Sequence, residues 1–216
     1  KTTQVAALTT DQVAALTTTQ ISALTTAGIA VLSTAQVAAI ETADLNVLTG
    51  VQVLGLTTAG VVALGTAGVV TLTTGAIAGL GTTNTTALTA AQITALTSSQ
   101  ISALTTSQLA NLSTTQVQSI EGADFNILTT TQLNALGTTN IANLSADQTV
   151  GLTSTQAAGL TSANLNALST KQVRFLQSTA LTALSTSQLA AMSTANFAAL
   201  SISQIARLTT SQVAGL

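Results

Sequence analysis

Residues 9–16 read TTDQVAAL, and the fold turns on this octad. Thr9 stands where a helix needs a cap, with a hydroxyl able to accept from a backbone N–H of the first turn. Gln12 follows three residues later, the spacing at which a side chain reaches back to the cap's own N–H. Val13 and Leu16 then fall i and i+3 on one face, with Ala14 and Ala15 between them. The octad reads as one very short helix carrying its own start signal.

The chain repeats that octad without a break. KTTQVAAL occupies 1–8, TTTQISAL occupies 17–24, and TTSQVAGL closes the chain at 209–216, so that 216 residues make 27 octads with none left over. The eighth position is Leu except at Ile40, Ile120 and Met192, the fifth is almost always Val, Ile or Leu, and the seventh is usually Ala. Gln holds the fourth position in 16 octads. Asp44, Asn84, Asp124, Asn140, Asn164 and Asn196 raise to 22 the octads whose fourth side chain is expected to reach back to the cap.

A single long helix is excluded, because eight residues overshoot two turns by about 80° and would wind the Leu stripe rapidly around the axis. Each octad instead buries its apolar face against neighbouring octads, as in a solenoid. The expected fold is therefore all-α: a solenoid of very short capped helices, one per octad, over a single continuous array at 1–216. Val13, Leu16, Ile21, Leu24, Leu104 and Leu112 are representative of its core. Two octads per coil would stack stubby antiparallel pairs. Both ends stop in mid-pattern, which reads as an excerpt of a longer array. The alternative is a β-solenoid, since Val, Ile and Thr favour strands and identical residues would stack in ladders. Against it, Ala and Leu at positions seven and eight are adjacent rather than two apart.

Composition narrows the chemistry. The chain has no Cys, His, Trp, Tyr or Pro, which removes the residues for thiol chemistry, imidazole acid–base work, disulfides and Cys- or His-based metal sites. Lys1, Lys171, Arg174 and Arg207 are the cations and net charge is −2, the opposite of a phosphate-binding surface, so no nucleic-acid partner is expected. Apolar runs such as 51–56 are cut by Thr every octad, far short of the ~18 residues that span a bilayer. Ser and Thr abound, but no His or paired acid stands ready to activate them, so neither an enzyme nor a small-molecule substrate is expected.

Departures from the octad are where a site would hide. ETADLNVL at 41–48 and EGADFNIL at 121–128 supply Glu41, Asp44, Glu121 and Asp124, the candidate ligands for calcium, a cation held by clustered oxygens. The plainer reading is that acids at these positions suit a helix N-terminus, and no cofactor is expected. Asp or Asn recurs at 44, 84, 124 and 164, with Asn46, Asn126 and Asn166 two residues beyond three of them. Lys171, Arg174 and Phe175 make one basic–aromatic octad, Phe125 and Phe197 take core positions, and Gly28, Gly60 and Gly68 replace the capping Gln.

The stretch LTTDQVAAL at 8–16 resembles the helix opening of transcription activator-like effector repeats, without their base-reading loop, and so implies a helix start but no DNA binding. Across the whole chain, LTTTQISAL, LTTSQLANL and LTTSQVAGL resemble the LTTxQVxAL octapeptide arrays of very long secreted bacterial surface proteins. That resemblance implies an adhesin-like or filament-like stalk at the bacterial cell surface or outside the cell, partnered with itself through stacking or lateral association. The alternative function is a Thr-rich binding surface, ice-binding or adhesive, which requires the β-solenoid.

Overall fold

The computed structural model describes residues 1–216 and contains 27 helices, one per octad, with no strand. The helices are four to seven residues long; Thr10–Ala14 and Ser98–Ala103 are typical. A consensus octad opens on an extended cap, as at Thr97 (φ −72°, ψ 159°). Its Leu is extended too, as at Leu96 (φ −60°, ψ 139°), so the corner between helices is the two-residue Leu–Thr link. The all-α solenoid is the observed architecture. The β alternative fails because the Thr–Gln start signal nucleates a helical turn in each octad, and a Thr-ladder surface loses its scaffold with it.

The chain divides into two compact units, Lys1–Leu112 and Ser113–Leu216. In the first, each helix packs on the third helix after it. Along one side Thr2–Ala6 meets Thr26–Ala30, which meets Gly50–Val53, then Thr74–Gly79, then Ser98–Ala103. The second unit shows the same spacing, as in Gly122–Phe125 against Ala146–Val150 and then Thr170–Phe175. A coil is thus three octads rather than the expected pair. The reason is dimensional. A five-residue helix is only about 7–8 Å long, no longer than the roughly 8–10 Å between packed helices, so a flat pair encloses no interior. Three sides do.

That interior takes the fifth and eighth positions. Val13, Ile21, Leu104 and Leu112 are buried, as are Phe125 and Ile77. Leu16 and Leu24, both in the octads at 9–24, are only half-buried. Thr85 and Thr149 intrude at the apolar fifth position and are fully buried. Each donates its hydroxyl to the carbonyl four residues back, Gly81 at 2.7 Å and Ser145 at 2.8 Å, so neither leaves an orphan polar group.

Three corners depart from the pattern. Gly65, Gly81 and Gly137 replace the capping Thr and adopt φ of 65°, 71° and 73°, the left-handed region open to Gly. Elsewhere the seventh position of one helix lies against the second position of the helix three octads earlier. A Cβ on Gly79 would sit 2.2 Å from the Gly50 Cα, so Gly at both places lets these two helices come closest.

Candidate functional site

The chemistry that recurs through the array sits at the corners, on the fourth-position Gln. Every octad that opens on Thr or Ser and carries Gln closes the reciprocal capping box. At Thr97 the backbone N–H donates to Gln100 Oε1 at 2.9 Å, while the Gln100 N–H donates to Thr97 Oγ1 at 3.3 Å. The octads with Asn or Asp in fourth place close no such box. This corrects the expectation of 22 reaching side chains: behind the Thr161 and Ser193 caps Asn is one methylene too short, and in the other four the cap is Glu or Leu rather than Thr or Ser.

The same Gln has a second role that the capping pattern does not announce. Its Nε2 donates downward to the last-turn carbonyls of the helix four octads earlier. Gln100 reaches Val69 O at 2.8 Å and Leu72 O at 2.7 Å. Gln36 reaches Leu8 O at 2.6 Å, Gln148 reaches Val117 O and Ile120 O at 2.7 and 2.9 Å, and Gln204 reaches Val173 O and Leu176 O, both at 2.9 Å. Val69 O, Val117 O and Val173 O already accept the backbone N–H three residues on, so the amide adds a second donor there. Leu72 O, Ile120 O and Leu176 O are last-turn carbonyls that the helix leaves open. One amide thus caps the start of its own helix and the end of another four octads back in the chain. Gln100 is 2% exposed, which places both bonds out of competition with water.

A second ladder runs outside the first, from the sixth position. Gln118 Nε2 donates to Asn143 O at 2.7 Å, Asn134 Nδ2 to Gly159 O at 2.7 Å, and Arg174 Nε to Ala199 O at 3.1 Å, each 25 residues ahead. Arg174 is therefore fastened to the next coil, while Lys171 of the same octad is exposed and Phe175 half-buried.

The acidic candidates serve as helix starts. Glu41 and Glu121 are exposed N-caps whose side chains make no cap bond; Asp44 lies in the first turn of Thr42–Leu45 and is buried, and Asp124 lies in the first turn of Gly122–Phe125. Each pair brings two carboxylates to one octad, and nowhere do three acidic, His or Cys side chains gather to hold a metal ion. Gly28, Gly60 and Gly68 are buried; the first two keep half of the cap, their N–H donating to Thr25 Oγ1 at 3.1 Å and Thr57 Oγ1 at 3.0 Å. A surface hollow of ≈ 460 Å³ lies between Leu54, Thr57, Leu80, Gly81 and Asn84 and is lined by no ionisable group. No helix is long and apolar enough to cross a membrane.

No curated protein and no solved structure matches the chain. The family model of the ALTTAQ repeat does, over residues 1–26, 37–74, 117–154 and 181–216, together more than half of the sequence. The hexapeptide of that description resembles ALSTSQ at 183–188, within the last matched stretch, the corner from the seventh position of one octad to the fourth of the next, where the double capping is built. In motif and in extent, the chain belongs to the ALTTAQ repeat family.

Proposed function

We propose that this tandem-repeat chain is a spacer: a stalk or fibre segment of a large extracellular bacterial protein, acting through length and self-association rather than catalysis. The observation that carries it is the Gln ladder. Each coil offers to the next the same donors and carbonyls that it meets in the one before, so coils add without any new kind of contact. The rest of the surface agrees. It is Thr- and Ser-rich, with ten charged residues in 216, so little electrostatic repulsion keeps neighbouring copies apart. Val51 and Leu54 stand 69% and 56% exposed in one octad, apolar contact area for lateral association.

Hydrodynamic measurement on chains of 18, 27 and 36 octads tests the spacer reading. Length is expected to rise in proportion to octad number, and a radius rising only as the cube root sinks it. Self-association is read separately by sedimentation at increasing concentration, where V51K/L54K is expected to shift the equilibrium toward single chains. A native chain that stays monomeric at millimolar concentration removes that half of the reading.

A further inference from the structure

We infer that Asn at the sixth position is a capping group supplied across coils, and that Asn134–Asn164 and Asn166–Asn196 are matched pairs that select which coil sits over which. Two corners lack the Gln acceptor. Thr161 and Ser193 are extended N-caps whose own octads carry Asn164 and Asn196 instead of Gln. Half of each box survives: Asn164 N–H donates to Thr161 Oγ1 and Asn196 N–H to Ser193 Oγ, both at 3.2 Å. The other half needs an acceptor for the cap's own N–H, and the short Asn side chain does not provide it.

The acceptor comes from the preceding coil. Thr161 N–H donates to Asn134 Oδ1 at 3.0 Å, and Ser193 N–H donates to Asn166 Oδ1 at 2.7 Å, both 27 residues earlier. The amide nitrogens of the same two side chains hold Gly159 O at 2.7 Å and Ala191 O at 2.6 Å, which fixes their orientation. The fourth-position Asn completes the exchange. Asn164 Nδ2 donates to Asn134 Oδ1 at 3.0 Å, and Asn196 Nδ2 donates to Leu168 O at 2.8 Å. In both cases a sixth-position Asn four octads before the short fourth side chain stands in for the missing methylene.

Asn126 supplies the contrast. It stands to Thr153 as Asn134 stands to Thr161, but the Thr153 octad carries Gln156, whose Oε1 already accepts the Thr153 N–H at 3.0 Å. Asn126 Oδ1 is accordingly the one buried side-chain polar atom in the chain without a partner. Space for it is made by Gly151, where a Cβ would come within 2.4 Å of that oxygen. Asn46, whose counterpart in the fourth position is Ala76, is exposed and belongs to no pair. In an array of near-identical octads, most coils present interchangeable surfaces. The paired Asn residues are not interchangeable, because Asn134 Oδ1 and Asn166 Oδ1 accept from the caps of the octads whose own fourth side chains are too short.

Hydrogen exchange at single-amide resolution on the full chain tests the pairing. N134A is expected to speed exchange of the Thr161 N–H by about tenfold or more, the loss of one hydrogen bond of ordinary net strength. N134A/N164Q is expected to restore protection, because Gln closes its own box. N126A is expected to leave Thr153 unchanged, whereas Q156N should hand the Thr153 N–H to Asn126, so that only Q156N/N126A loses it. Unaltered Thr161 protection in N134A, or failure of N164Q to restore it in a chain that keeps its helical circular dichroism, overturns the inference.

Discussion

One methylene separates the Gln that closes a cap from the Asn that does not, and that difference governs the array residue by residue. Gln100 spans from its own N-cap to the carbonyls of Val69 and Leu72, whereas Asn164 needs Asn134 to complete its corner. In the sequence Asn and Gln look like equivalent amides, because composition and spacing carry polarity but not reach. Backbone conformation sets the other residue-scale constraint. Gly65 has φ +65° with nothing within 4 Å of a Cβ built on it, so G65A is a test of torsion alone. It is expected to lower stability by about 1–2 kcal/mol, the cost of an L residue in the left-handed region. Gly75 lies inside Thr74–Gly79 in ordinary helical conformation, and a Cβ there meets only Thr73 Oγ1 at 3.8 Å. G75A is expected to raise stability by about 0.4–1 kcal/mol through the unfolded chain. Urea midpoints of the two variants should move in opposite directions.

At the scale of the helix, the start is legible in the sequence and the circuit is not. A Thr cap, a Gln three residues on and an apolar i, i+3 pair predict each helix of the consensus octads where it is found. The number of octads per coil depends on the angle at the Leu–Thr link, which no side chain in the octad advertises. The second partner of Gln is hidden for the same reason, since a carbonyl four octads earlier becomes a neighbour only once a coil is known to hold three octads. Isolated helices of this length are unstable in water, so their persistence rests on contacts between coils. That dependence separates two otherwise alike Gln residues. Gln12 carries only its box with Thr9, and Q12A is expected to cost about 0.5–1 kcal/mol, as for a lost cap. Gln100 also donates to two carbonyls of the preceding coil, and Q100A is expected to cost about 2–4 kcal/mol, since Val69 O keeps the Leu72 N–H but Leu72 O is left buried without a donor. Chemical denaturation of both variants checks the gap; equal losses would mean that the bond between coils contributes nothing.

Across the whole molecule, stability is a sum of contacts between successive coils, and no octad contacts more than its near neighbours along the array. The likeness to repeat arrays is visible from the octad's phasing alone, and the family match agrees with it. The paired Asn residues make the array uneven. Deleting residues 89–96 removes one complete octad from the first unit, and the chain is expected to close again around its remaining Gln corners. Deleting residues 145–152 shortens the interval between Asn134 and Asn164 by one octad and is expected to lower the melting temperature further, although the same length of chain is lost. Comparable melting temperatures for the two deletions would argue against unequal coils. The Gln that serves two helices has a last consequence, in heredity rather than energy. A coding tract that gains or loses whole octads by unequal exchange still hands each Gln a carbonyl of the same kind, so the length of such a protein is free to drift between generations while its fold is inherited intact. Only where an Asn waits for its counterpart does the tract have places at which a change in copy number leaves a mark.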